Sequence, residues 1–77
     1  MIRQHIVSSN IECVGWHRGK LYIAFHNGGA YEYDKVDMKT YLDLVGAESV
    51  GQHFHRNIKG KFAFTKLTYN PFELKAA

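Results

Sequence analysis

Two tyrosines that stand two residues apart are the side chains of this sequence best suited to bind a ligand. Tyr31 and Tyr33 are separated by Glu32, so on a β-strand both rings project from one face. Aromatic rings on a sheet stack on unpaired bases, because every base has a π-face. Tyrosines at this spacing are also ordinary core or half-buried residues whose hydroxyls reach the surface, and both interpretations stay open at this point.

The basic residues are concentrated toward the end of the chain. Residues 1–49 carry five Lys or Arg and six Asp or Glu, whereas residues 50–77 carry five Lys or Arg and one Glu. The two segments therefore have charges of −1 and +4, which sum to the net charge of +3. A basic end favours an anionic partner such as nucleic acid, with Arg56, Lys59 and Lys61 as the expected phosphate contacts. The alternative is an ordinary solubilising surface.

Five histidines and one cysteine are the remaining candidates for metal binding or catalysis. His53 and His55 are predicted to share one helix, where positions i and i+2 do not face each other and a zinc site needs i and i+4. Cys13 has no second cysteine as a partner, and no nucleophile motif surrounds it or the Ser8-Ser9 pair. We therefore expect no enzyme activity, no catalytic residue, no metal and no cofactor.

The length of 77 residues limits the chain to one small domain and excludes the large enzyme folds. An apolar fraction of 45% is too high for a disordered chain. The longest purely apolar run covers Leu21 to Phe25, and the first residues lack the apolar stretch of a secretory signal. Together with the single cysteine, these features predict a cytoplasmic protein without a membrane partner.

Alternating apolar residues predict strands in the first half of the chain. The predicted strands are Ile11–Trp16, Lys20–His26, Ala30–Val36 and a short edge strand from His5 to Ser8. Residues 17–20 and Asn27-Gly28-Gly29 separate the three main strands as tight turns. Short connections between consecutive strands favour an antiparallel meander.

The hydrophobic period changes after the third strand. Asp37 is a predicted N-cap, and apolar residues at i, i+3, i+4 and i+7 then predict a helix that stops at Gly46. These apolar residues are Met38, Tyr41, Leu42 and Val45. Ser49 and Gln52 form a predicted capping box for a second helix, with Lys59-Gly60 at its end.

These elements predict an α+β fold. It is an antiparallel three- to four-stranded meander followed by two short helices and a C-terminal extended segment, Lys61–Leu67. We expect one domain over residues 1–67 and a tail over residues 68–77. The residues expected to pack on the sheet face that bears Leu21, Ile23 and Phe25 are Tyr41, Leu42, Val45, Phe54 and Ile58.

The order and spacing of these features across residues 7–64 resemble the KTSC domain, a small bacterial and phage module named for its occurrence at the C-terminus of some lysyl-tRNA synthetases. The matching features are Ser8-Ser9-x-Ile11, Val14-Gly15-Trp16, Leu21-x-Ile23-x-Phe25, Asn27-Gly28, Tyr31-x-Tyr33, Val36, Tyr41, Leu44, Ala47, Ser49, Gly51, Phe54 and Ile58. The Tyr31-x-Tyr33 pair corresponds to the family's marker. The sequence departs from the pattern at Asp37, where proline is common, and at His53 and His55, where an aromatic residue and Asn are common.

RNA binding is the usual suggestion for the family that the chain resembles. Together with the lack of a catalytic motif, this predicts a small non-enzymatic binding module. We therefore expect RNA or single-stranded nucleic acid as the partner. Tyr31 and Tyr33 would stack on its bases, and Arg56, Lys59 and Lys61 would hold its phosphates. The alternative is a protein–protein interaction module, such as a phage-encoded modulator or inhibitor of a host enzyme.

Overall fold

A single antiparallel sheet carries two helices on one of its faces. The computed structural model describes the backbone of residues 2–5 and all atoms of residues 10–69. The elements are β1 (Ile2–His5), β2 (Ile11–His17), β3 (Lys20–Phe25), β4 (Ala30–Tyr33), α1 (Met38–Val45), α2 (Val50–Asn57) and β5 (Phe64–Leu67). The strands are arranged in the order β1-β2-β3-β4-β5. The predicted α+β class is confirmed, and the predicted C-terminal extended segment contains a fifth strand, β5.

Some predictions concern residues outside the described part of the chain. Ser8 and Ser9, with most of the edge strand predicted from His5 to Ser8, lie outside it, although β1 ends at His5. The predicted tail falls outside it from residue 70 onward. None of the helices within residues 10–69 is long and apolar enough to cross a membrane.

Two tight turns set the register of β2, β3 and β4. Arg18 and Gly19 have φ angles of 50° and 82°, so both adopt the left-handed conformation that a two-residue hairpin turn requires. Gly28 has a φ of 96° in the next turn, where glycine adopts this conformation at little cost. The second turn places Tyr33 opposite Leu21, and directly opposite residues of an antiparallel pair lie on the same face.

The strand β4 ends earlier than the predicted Val36. Lys35 has a φ of 58°, which turns the chain out of the sheet after Tyr33. Val36 is nevertheless fully buried, and its amide donates a hydrogen bond of 2.8 Å to the Gly19 carbonyl. Its own carbonyl accepts a hydrogen bond of 2.7 Å from the Trp16 indole. These contacts hold the connection between β4 and α1 against the β2–β3 hairpin.

Both helices begin at the predicted caps. The Asp37 carboxylate accepts a hydrogen bond of 2.8 Å from the Thr40 amide, and hydrogen bonds from Thr40 are the main reason that the pKa of Asp37 is lowered. The Ser49 hydroxyl accepts a hydrogen bond from the Gln52 amide at 3.4 Å. These caps satisfy amides of the first turn that have no partner within the helix, and so decide where each helix begins.

The core lies between the helices and the sheet. Its buried members are Ile11, Val14, Leu21, Ile23, Tyr33, Val36, Tyr41, Leu44, Val50, Phe54 and Ile58. The predicted packing of Leu42 is wrong, since its side chain is 54% exposed. The buried side of α1 is centred on Tyr41 and Leu44 instead, because a helix of eight residues presents only a narrow arc to the sheet.

Candidate nucleic-acid interface

An open groove lies between α2 and the end of the sheet formed by β4 and β5. Its volume is about 930 Å³, near the upper end of the range for small-ligand sites. Five rings line it, and we call them the aromatic cluster: Phe25, Tyr31, Tyr33, Phe54 and Phe64. Four basic or imidazole side chains also line it, and we call them the rim: His26, His55, Lys59 and Lys66.

The rings of the aromatic cluster contact one another edge to face or at a tilt. Tyr33 lies between Phe54 and Phe64, with ring centroids 5.6 Å and 5.7 Å away. Tyr31 lies 5.8 Å from both Phe25 and Phe64. These separations fall in the favourable range for aromatic pairs, so the cluster is a packed wall that holds its rings in place.

The depth of each ring in the cluster decides what it can contact. Tyr33 is 5% exposed, and Phe54 is 4% exposed, so both belong to the core. Tyr31 is half-buried, whereas Phe64 is 58% exposed. Burial, and to a lesser extent Tyr31, raises the pKa of Tyr33, so its hydroxyl stays protonated. Phe64 is therefore the ring of the cluster most accessible to a ligand, and the half-buried Tyr31 and Phe25 are reachable in part.

The pairing of β4 with β5 brings basic and aromatic side chains together. Phe64 lies opposite Tyr33, and Lys66 lies opposite Tyr31. Because opposite residues share a face, Phe64 and Lys66 continue the face of the two tyrosines across the edge of the sheet. Lys59 approaches from the other side, since it follows Ile58, the C-cap residue of α2.

The charges around the groove are one-sided. No Asp or Glu occurs among the described residues that line it. The described ion-pairing side chains lie away from the groove. The Lys20 ammonium, at the start of β3, lies 3.4 Å from a Glu32 carboxylate oxygen and 3.5 Å from an Asp34 carboxylate oxygen. A further exposed ion pair joins two residues of α1. Within residues 10–69 neither Lys59 nor Lys66 forms an ion pair, so both charges are available to an anion.

The five predicted site residues are divided by the structure. Tyr31, Tyr33 and Lys59 line the groove, and Arg56 and Lys61 do not. Arg56 is exposed on α2 next to His55, which does face the groove, and successive helix positions are about 100° apart. Tyr33 is buried against Phe54, which removes it as a base-stacking residue. The exposed ring beside Tyr31 in the groove is Phe64, whose centroid lies 5.8 Å from that of Tyr31.

Sequence reasoning did not single out Phe64 and Lys66 as site residues. The signal was present, because both alternate with Thr65 in the predicted extended segment. What the sequence lacked was the partner of that segment. Pairing it with β4 places Phe64 and Lys66 beside the tyrosines, and this long-range pairing spans the two helices.

The histidines and the cysteine form no metal centre in the part of the chain that the structure describes. No group of three or more His, Cys, Asp or Glu residues has an arrangement suited to a metal ion in these segments. His55 lines the groove. His53, two residues earlier in α2, is half-buried and is not part of the lining. Cys13 is buried in β2, where it acts as a small core residue.

A short antiparallel meander covered on one face by two capped helices, with an aromatic groove at its edge, defines a small α+β domain. The sequence matches the family model for the KTSC domain over residues 7–62. The chain therefore belongs to the KTSC domain family, and the predicted resemblance is confirmed.

Relatives of this chain occur in larger proteins and as a solved structure. Lysine–tRNA ligases of Nostoc punctiforme and Trichormus variabilis are 50% and 44% identical to it over 48 residues. The match covers 62% of this chain and 9% of each ligase. The crystal structure of a KTSC domain protein from Yersinia pestis superposes with a TM-score of 0.80 at 34% identity, covering 84% of this chain and 94% of that one.

Proposed function

We propose that this domain is a non-enzymatic module that binds RNA or other single-stranded nucleic acid in the groove. The observation that carries the proposal is an exposed aromatic ring, Phe64, in a groove whose described lining has no carboxylate. Its two lysines form no ion pair with any residue from 10 to 69. A base stacks on such a ring whatever its identity, and lysines attract the flanking phosphates.

Each side chain has a distinct role in this proposal. Phe64 and Tyr31 contact the base, and Tyr33 supports them from the core, since it lies 5.7 Å from Phe64 and 6.5 Å from Tyr31. Lys59 and Lys66 hold phosphates on either side of the base. Neither role reads sequence, because stacking is tolerant of base identity and phosphate contacts carry no sequence information.

A single strand suits this groove better than a duplex. Paired and stacked bases hide their faces inside a double helix, whereas an unpaired base can be splayed onto an aromatic ring. RNA is placed before DNA because the curated relatives are named as ligases of lysine and tRNA. We place the module in the cytoplasm, since a single cysteine suits a reducing compartment.

A protein–protein interaction module is the second candidate. Met38 and Leu42 stand one helical turn apart on α1, and they are 43% and 54% exposed. This pair lies outside the lining of the groove, so it is a separate apolar surface. A protein partner, for example a host enzyme bound by a phage-encoded modulator, would contact this apolar surface. The affinity of such a complex would depend little on salt concentration.

Fluorescence anisotropy with labelled oligonucleotides tests the first proposal. Single-stranded RNA, single-stranded DNA and an RNA duplex of the same length are titrated at low salt, and the tightest complex is titrated again at rising salt. We expect the single strands to bind more tightly than the duplex and the affinity to fall steeply with salt. No binding of any single strand at low salt would reject the nucleic-acid proposal and leave the α1 surface as the alternative.

A further inference from the structure

The strand β5 lies at one end of the sheet order, and its outer edge has no partner strand in the described part of the chain. The Asp34 amide donates a hydrogen bond of 2.9 Å to the Ala63 carbonyl. In an antiparallel ladder every second pair is hydrogen-bonded, so Thr65 also bonds to β4. Phe64 and Lys66, which alternate with it, therefore direct their backbone N–H and C=O groups toward the outer edge.

Tyr22 lies on the back of the sheet opposite Glu32, because it alternates with the buried Leu21 and Ile23 of β3. Thr65 lies opposite Glu32 on the other side, so it shares this back face, whereas Phe64 and Lys66 share the face of the groove. Within residues 2–5 and 10–69 no strand pairs with the outward backbone groups of Phe64 and Lys66, which makes them hydrogen-bonding sites for a further strand.

We propose that β5 pairs with the β5 strand of a second copy of this chain, antiparallel and centred on Thr65. In this register Phe64 of one copy and Lys66 of the other form a hydrogen-bonded pair, and the two-fold axis repeats it on the other side of Thr65. Phe64 and Lys66 are the residues whose backbone groups face outward. In this register the N–H groups of each copy therefore meet C=O groups of the other.

Side-chain chemistry selects the same register. It places Lys66 of one copy beside the exposed aromatic Phe64 of the other, so that no two like charges lie opposite each other. Centring the pair on Lys66 would instead oppose two like charges. Centring it on Phe64 would pair Lys66 with Phe62, which lies before the strand and packs against the core.

The pairing has consequences for the groove and for its own strength. Opposite residues share a face, so the grooves of both copies lie on the same side of a continuous sheet. Phe64 and Lys66 line each groove, and the two-fold axis brings the two sets of residues close together.

Because β5 has four residues, the contact is at the low end of interface sizes, and we expect a reversible dimer whose population depends on protein concentration.

Disulfide trapping tests the register. Thr65 would face its own copy in a non-hydrogen-bonded pair, where Cβ atoms are about 4.5–5.5 Å apart, close to the separation in a disulfide. We expect Thr65→Cys to form a cross-linked dimer faster than Thr68→Cys. Thr68 is exposed and follows β5 by one residue, so it is the matched control. Cys13 is 3% exposed and is common to both variants.

Amide exchange measured by NMR on the unaltered protein provides an independent readout. At low concentration the Phe64 and Lys66 amides should exchange quickly and the Thr65 amide slowly. At high concentration the exchange of Phe64 and Lys66 should slow, while that of Thr65 stays unchanged. Exchange of Phe64 and Lys66 that is independent of concentration, or cross-linking of Thr65→Cys no faster than that of Thr68→Cys, would overturn the proposal.

Discussion

Removal of the Phe64 ring should weaken nucleic-acid binding by at least as much free energy as it removes from the stability of the fold. Truncation of a fully buried Phe to Ala costs about 3–5 kcal/mol of unfolding free energy. Phe64 is 58% exposed, so less than half of that loss applies, roughly 1–2 kcal/mol. Loss of a base stack costs about 1–3 kcal/mol of binding free energy, which corresponds to an affinity roughly 5- to 150-fold weaker.

The assay compares Phe64→Ala with Phe64→Tyr, which keeps the ring and therefore the stack. Urea unfolding of both variants comes first, because a folded fraction below one would imitate a loss of affinity. Anisotropy with single-stranded RNA then measures binding at one salt concentration. If Phe64→Ala binds as well as the parent, or if Phe64→Tyr loses as much affinity as Phe64→Ala, the ring does not stack and the assignment of the groove is refuted.

Three further predictions concern charge, pH and the core. Replacing Lys59 and Lys66 together by Ala should reduce the slope of log affinity against log salt by about 1.4, because each phosphate contact on a single strand contributes about 0.7; Lys39→Ala, on exposed α1, should leave the slope unchanged. Asp37→Asn keeps a cap but does not titrate. The folded state lowers the pKa of Asp37 below 3.8. The parent should therefore melt at a higher temperature than Asp37→Asn above pH 3.8, and this difference should shrink as the pH falls through the lowered pKa. Phe54→Ala should lower the unfolding free energy measured in urea by roughly 3–5 kcal/mol, because Phe54 is buried in the core, and a loss no larger than that of Phe64→Ala would contradict this packing.

Local sequence signals predicted the elements well where they act over a few residues. Asp37 and Ser49 cap helices because a cap depends on an amide three residues away. The positive φ angles at Gly19 and Gly28 are a property of the turn itself. The end of β4 was missed because Lys35, a residue without turn preference, takes a φ of 58°, and the chain is held there by contacts with distant residues.

The amphipathic stripe of α1 shows where periodicity stops being informative. Leu42 and Leu44 are the same residue type two positions apart in sequence, yet the first is 54% exposed and the second is fully buried. A helix of eight residues has several nearly equivalent apolar arcs. The rotation of α1 about its axis is chosen by the sheet and α2, which no local pattern encodes.

By itself, the sequence determined the strands, the caps, the turns and a pair of tyrosines on one face, since each depends on neighbours along the chain. Tertiary structure alone decided which ring is available to a ligand. Tyr31 and Tyr33 have the same spacing and residue type, but α2 covers Tyr33 with Phe54 and leaves Tyr31 half-exposed. Phe64 and Lys66 join them only because β5 pairs with β4 across two intervening helices, and such long-range pairing depends on the packing of the whole domain.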